Sequence, residues 1–288
     1  MKIAVHFSGH LRYIDWCTNQ TKSFWNRLKN LGHEIDFYSH TWSSKSEWEQ
    51  IAEHCGLQFE KIVFDKLEEP EYSPAKRLGK FVQTDGQFYS LARSTELSQH
   101  KHYDIKVRYR SDLLIWHDNV TDDQLNDFLQ EVANKRVLYA DSIWAVNGFS
   151  KIQDIHLWSN SYVHDRLFDL NWVLYTWDKY GGDTYLGGPF FIGRLCEYFN
   201  NTYHDINQQL YVHPFTKKMQ FFTRVARPNM FEDERTKELV FNDHLFALHM
   251  ANKFHAKRDS IVNKARQDRK AGKVIDDYIP MTSKLNTH

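Results

Sequence analysis

Arg108, Arg110 and Asp112 recur at two-residue spacing in the stretch Tyr103–Asp118, YDIKVRYRSDLLIWHD. Ile105 and Val107 take one parity of a strand and Arg108 and Arg110 the other, because residues two apart share a face. Asp112 falls just past this run, ahead of Leu113–Trp116. A short carboxylate at the carboxyl end of an α/β strand stands where that class of fold binds its ligand. The competing reading of an Arg-x-Asp is a salt bridge that closes the strand end. A second group, Ser8-Gly9-His10-Leu11-Arg12, ends the apolar run Lys2–Phe7. A first strand feeding a small-residue turn is the usual opening of a nucleotide-binding α/β domain. There Gly9 lets backbone amides approach a phosphate and Arg12 supplies charge to neutralise it.

The elements that must carry these residues read as an alternation. Lys22–Leu31 has Phe24, Leu28 and Leu31 at helical spacing with Gly32 as the stop. Glu34–Tyr38 is a second strand leading to Ser39-His40-Thr41-Trp42, and Ser46 with Glu49 has the spacing of a capping box for a helix ending near His54. Phe59–Phe64 is a third strand, Asp65–Lys80 a charged loop with two prolines, and Gln87–His100 a helix entering Tyr103–Asp118. Thr121 with Gln124 opens a helix to Val132, and Arg136–Ala140 and Ile143–Asn147 are strands. Ser150 with Gln153 repeats the capping pattern before a helix carrying Ile152, Ile155 and Trp158. Beyond it the alternation fails. Asp165–Tyr180 is dense in aromatics, Gly181-Gly182-Asp183 and Gly187-Gly188-Pro189 mark turns, Met219–Val225 is a late strand and Thr236–Lys257 a helix. The pattern predicts an α/β fold: a mostly parallel sheet with helices on both faces, and an irregular, partly helical C-terminal region. Without repeat, low-complexity tract or linker, residues 1–288 read as one domain.

Composition narrows the class. The chain has 288 residues, 41% hydrophobic and 15% aromatic, enough to bury a core. The 37 basic and 37 acidic residues cancel, so net charge names no partner. Their distribution does: His213–Lys273 holds 14 Lys/Arg against 7 Asp/Glu, a basic window on an acidic body. Such a window is a polyanion footprint or a solvated helix. Cys17, Cys55 and Cys196 are odd in number and widely spaced, which argues against a disulfide framework and a cysteine zinc site. The first apolar run is too short for a signal peptide and no stretch approaches ~20 apolar residues. The expectation is a soluble cytoplasmic protein, with the sequons at Asn119 and Asn200 accidental.

Several segments in order resemble a known group. KIAVHFSGHLR, FYSHTW and QFYSLARSTEL followed by YDIKVRYRSDLLI are similar to bacterial and phage glycosyltransferases related to lipopolysaccharide and capsule synthesis enzymes, with a GT-A-like, Rossmann-type nucleotide-sugar-binding fold. DSIWAVNGFSKIQDIHLW resembles the strand and helix that follow in that group. The resemblance covers residues 1–160, the nucleotide-sugar-binding part; residues 161–288 are where acceptor binding is expected.

The resemblance implies a nucleoside-diphosphate sugar lying across the carboxyl ends of the first strands, beside Ser8, Gly9, His10 and Arg12. Asp112 matches the last carboxylate of an Asp-x-Asp motif whose first member here is Arg110, a departure. The chemistry requires positive charge on the leaving diphosphate, from Mn2+ or Mg2+ or from Arg/Lys. With a metal, Asp112 needs a further ligand such as His244 or Asp243; without one, Arg108, Arg110 or Arg12 acts directly. His244 and His249 are five apart, not the i, i+4 spacing of a helical metal pair. Inversion also needs a base for the acceptor hydroxyl. Asp183 is the first candidate and Asp141 the second, each alternatively a turn former or cap. Trp16, Trp42 and Trp116 lie near the ligand edge, where a ring stacks on uridine or sugar.

Two acceptors fit: a surface glycan or its lipid-linked precursor, and a hydroxymethylated base of phage double-stranded DNA. The second draws on Lys217, Lys218, Arg224, Arg227, Lys257, Arg258, Arg266, Arg269 and Lys270 in the basic window, with Tyr211, Phe221 and Phe222 to line the space of a flipped base. From another class, the missing first Asp leaves open a non-catalytic nucleotide-sugar-binding protein of the same fold. A dehydrogenase is disfavoured, since no G-x-G-x-x-G follows the first strand.

Overall fold

The computed structural model describes residues 1–11, 14–52, 55–65, 83–117, 120–140, 143–146, 149–152, 156–180, 188–202, 209–214 and 222–225. All lie in one compact unit, Met1–Arg227. In chain order the first elements are β1 (Lys2–Gly9), α1 (Ile14–Asn30), β2 (Glu34–Thr41), α2 (Lys45–Ile51), β3 (Phe59–Phe64), α3 (Gln83–Glu96) and β4 (Ile105–Tyr109). β5 (Leu113–Trp116), α4 (Asp122–Asn134), β6 (Val137–Ala140), β7 (Ile143–Val146), β8 (Phe149–Ile152) and β9 (His156–Asn160) follow. The last are α5 (Ser161–Leu167), α6 (Leu170–Tyr180), α7 (Gly188–Thr202), β10 (Tyr211–Pro214) and β11 (Phe222–Val225).

The main sheet has seven strands in the order β10-β6-β9-β4-β1-β2-β3. It is parallel throughout except for β9, which runs antiparallel to both β4 and β6. β5 pairs antiparallel with β11, and β7 with β8. The fold is α/β, as the alternation predicts.

Strand parity sorts two different layers. Ile3, Val5 and Phe7 of β1, Ile35 and Phe37 of β2, and Ile105, Val107 and Tyr109 of β4 point to one face. There they pack against Phe24, Trp25 and Leu28 of α1 and Leu125, Phe128, Leu129 and Val132 of α4. Apolar residues at three- and four-residue spacing give each helix one stripe to bury. On the other face α3 packs over β1 and β2 through Phe88, Leu91 and Ala92, and α5, α6 and α7 continue that layer. This second layer is unusually polar. His6, His40, Lys106, Arg108, Ser90, Ser94, Ser98 and His164 are all buried.

Local signals explain most boundaries. Thr121 caps α4 in a full capping box with Gln124. α2 has the same device, but its cap is Ser44 paired with Glu47, two residues before the expected Ser46. α1 starts well ahead of Lys22; buried Thr18 and Thr21 turn their hydroxyls back onto the carbonyls of Ile14 and Cys17, so polar residue types occupy its core-facing stripe. The helix expected after Ser150 is replaced by β8 and β9. Ile152 and Trp158 are core residues of strands: Ile152 on β8 opposite Ile143 of β7, and Trp158 on β9, which fills the slot between β4 and β6 by pairing on both sides. Thr236–Lys257 and most of Asp65–Lys80 lie outside the described residues.

Candidate functional site

The strand order reverses direction beside β1: β2 and β3 lie on one side, β4 on the other. In an open α/β sheet the crevice outside the carboxyl ends at such a reversal is the ligand position. β1 ends there in Ser8-Gly9, with Gly9 at φ +86, a left-handed conformation that favours glycine. β4 ends in a turn, Arg110-Ser111-Asp112, closed by Leu113 N donating to Arg110 O at 3.2 Å. Ser111 Oγ donates to His10 O at 2.9 Å, which joins the two turns directly.

Four further bonds fix the β1 turn. Gly9 N donates to Ser90 Oγ of α3 at 2.8 Å, and that hydroxyl donates to His40 O at the end of β2 at 2.7 Å. Leu11 N donates to Ser43 Oγ at 3.1 Å, and Ser43 N to Thr41 Oγ1 at 3.0 Å. His40 sets Nδ1 3.1 Å from Ser90 Oγ and Nε2 3.4 Å from Asp65. Burial lowers its imidazole to about 4, against the opposing pull of Asp65. It is therefore neutral near pH 7. Trp42 stacks on Tyr89 with centroids 5.7 Å apart and stands edge-on to His40. The rim is thus a preset polar turn held by side chains from α3, β2 and the β4–β5 turn.

Asp112 is 8% exposed and is gripped by Arg110: Nε donates to Oδ1 at 2.8 Å and Nη2 to Oδ2 at 2.6 Å. Its carboxylate is nearly buried beside the Gly9 turn, and the salt-bridge reading of the Arg-x-Asp is realised there. Arg108 does not share this rim. It pairs in register with His6, is 1% exposed, and holds Cζ 5.5 Å from the centre of the Phe88 ring under α3. The reason is parity: the even-numbered face of β4 is covered by helices, so the side chain before the strand end is sealed in. Lys106 on the same face donates to Asp165 at 2.6 Å.

The same polar layer keeps its histidines uncharged. Burial, then the nearby Lys106, lowers the His6 imidazole to about 3. Its Nδ1 lies 2.9 Å from Ser94 O, and the ring stacks on His164 at 5.1 Å. His164 is held well below its ordinary range by burial, His6, Lys106 and Arg108; on the opposite face, against Tyr109 and Trp158, burial lowers His156 to about 3.

A divalent metal at Asp112 does not fit the described residues. Both carboxylate oxygens are committed to a cation, and no group of three or more His, Cys, Asp or Glu among the described residues is placed to hold a metal ion. Asp112 is paired with Arg110, and His244, the further metal ligand expected with it, lies outside the described residues. So do Arg12, Asp141, Asp183, Lys217, Lys218, Arg227, Lys257, Arg258, Arg266, Arg269, Lys270 and Phe221. Arg224 falls on β11 opposite Leu114, Trp16 on α1 and Trp116 on β5. Tyr211 is on edge strand β10, 53% exposed. Sequence reasoning missed Ser90, Ser43 and Ser111 as anchors of the rim. Ser90 and Ser111 lie in segments that carry the resemblance and Ser43 follows FYSHTW directly, but nothing local marks their partners.

A helix-flanked, mostly parallel α/β sheet with two bonded turns at its strand reversal is the class these features define. The sequence matches no described protein family and no curated protein. Solved structures overlap it in part. A glycosyltransferase involved in glycosylation of the major capsid of PBCV-1 is 9% identical, with 83% of this chain and 100% of that chain covered and a TM-score of 0.43. The glycosyltransferase GlyE of Streptococcus pneumoniae TIGR4 is 15% identical over 75% of this chain and 46% of its own, at 0.41. The galactosyltransferase LgtC, in complex with donor and acceptor sugar analogs, is 14% identical over 83% and 95%, at 0.46. Likeness at these TM-scores carries no argument for this chain. Among the described residues no helix is long and apolar enough to cross a membrane.

Proposed function

We propose that the chain is a nucleotide-sugar-dependent glycosyltransferase whose donor diphosphate lies in the crevice between β1 and β4. The observation that carries this is the Ser111–His10 bond, which brings the Gly9 turn and the Asp112 turn together at the strand reversal. The ordered resemblance of residues 1–160 supplies the chemistry, and the strand reversal beside β1 supports its position. In the transfer, the acceptor hydroxyl oxygen bonds to the anomeric carbon and the carbon–oxygen bond to the diphosphate breaks. The diphosphate departs with the electron pair, and the hydroxyl proton passes to a carboxylate, Asp183 or Asp141.

A thermal-shift panel of nucleoside-diphosphate sugars tests the reading. A true donor raises the melting temperature by mass action, and the others do not. Asp112→Asn is expected to reduce that shift and the slow donor hydrolysis that accompanies it. A panel without any responding donor overturns the proposal. A donor that binds without hydrolysis or transfer favours the non-catalytic relative.

The acceptor is a glycan hydroxyl, of the lipopolysaccharide or capsule kind, or a hydroxymethylated base in phage DNA. Salt-sensitive duplex binding in an anisotropy titration selects DNA; its absence at low salt selects the glycan. The proposed cytoplasmic location is in keeping with Cys17, Cys55 and Cys196 as thiols outside any disulfide.

A further inference from the structure

We infer that the charge of the leaving diphosphate is met by the guanidinium of Arg110, locked in place by Asp112, and not by a divalent metal. The inference rests on the nucleotide-sugar reading and concerns how that site handles charge. A metal-holding pair concentrates two negative groups around a cation. Here the first position is itself a cation, and it forms a two-pronged pair with the second at 2.8 and 2.6 Å. Paired Arg–carboxylate bonds of this kind fix the plane of a group that carries five N–H donors.

The orientation of the pair matters. The Asp112 side chain is 11% exposed and that of Arg110 33%, so the carboxylate is turned inward and the guanidinium outward. Between them Ser111 is bonded to His10 O, which holds the pair against the Gly9 turn. The other two basic residues of this strand are sealed beneath α3 and α5, Lys106 against Asp165 and Arg108 over Phe88. Of the three, Arg110 is the one that follows the carboxyl end of β4 and is partly exposed there. Asp112 is then a positioning residue: it aims Arg110 and touches no phosphate.

Calorimetric titration of the full chain with UDP, GDP, ADP, CDP and dTDP, in EDTA and then in Mn2+, tests this. The diphosphate that binds is expected to bind equally in both. Arg110→Ala is expected to weaken it by roughly tenfold to a hundredfold in either medium, the loss of a hydrogen-bonded charge pair. Asp112→Asn weakens it less, and R110D, which places two carboxylates around Ser111, makes the remaining binding depend on Mn2+. That switch is one a merely structural carboxylate would not produce. Melting temperatures without ligand show that each variant is folded, and the wild-type comparison needs no variant. Wild-type binding that requires Mn2+ overturns this inference alone, as does unchanged affinity in folded Arg110→Ala. Absence of all diphosphate binding, with and without Mn2+, overturns the glycosyltransferase reading as well.

Discussion

Acidification should unfold this protein through its buried histidines. In the unfolded chain an imidazole takes up a proton as pH falls through 6.5, whereas His6 and His156 in the folded chain resist until about 3. Between those values protons bind the unfolded state preferentially, so stability is full above 6.5 and falls as pH drops. Each of the two histidines costs roughly 2 kcal/mol by about pH 5, about 4 kcal/mol together. His164 acts in the same direction. Against a total stability of about 5–15 kcal/mol, that is a large share. His6 has no easy escape, because it faces His164, Lys106 and Tyr38, and its ring nitrogens face Ser94 and Ser98. The assay is urea unfolding followed by far-UV circular dichroism at neutral pH and near pH 5. The midpoint should drop, and His6→Gln should lower the pH slope of stability by about 1.4 kcal/mol per unit. Equal midpoints at the two pH values, or a slope untouched by His6→Gln, would refute the reasoning.

Ser90→Ala strips the acceptor of Gly9 N and the donor to His40 O, so about 1–3 kcal/mol of stability is expected to go. Diphosphate affinity should fall with it; a denaturation midpoint equal to wild type contradicts the anchoring role. Asp165→Asn leaves Lys106 buried without its carboxylate, and a loss approaching ~3–5 kcal/mol is expected in chemical denaturation. Gly9→Ala meets nothing within 4 Å, so its cost is backbone alone, about 1–2 kcal/mol read from the melting temperature. A neutral result there would mean that the turn relaxes out of its left-handed conformation.

Much of the first half was legible because its signals are local. The runs Lys2–Phe7, Glu34–Tyr38 and Phe59–Phe64 each became a strand, and the Thr121–Gln124 box opened α4 where expected. Local signals also misled. Ser44 and Ser46 each have a glutamate three residues on, and the sequence does not rank them; in the fold Ser44 is the cap. Ile152, Ile155 and Trp158 imitate a helical stripe, yet β9 is defined by partners on β4 and β6. At the site, Gly9 and Asp112 could be found from strand ends. Ser90, Ser43 and Ser111 could not, since their bonds span 32 to 101 residues of chain. Arg108 shows the same limit. Parity placed it opposite Val107, but only the packing of α3 shows that this face is closed.

The reversed strand β9 imposes an order on synthesis. A growing polypeptide can assemble β1, β2, β3 and β4 as soon as they leave the ribosome, but β4 keeps a raw edge until His156–Asn160 arrives. β6 waits too, because its link to the sheet centre runs through the same five residues. An unpaired edge invites pairing with another chain. Chains released shortly before Asn160 should therefore be lost to aggregation, and those carrying β9 should be spared.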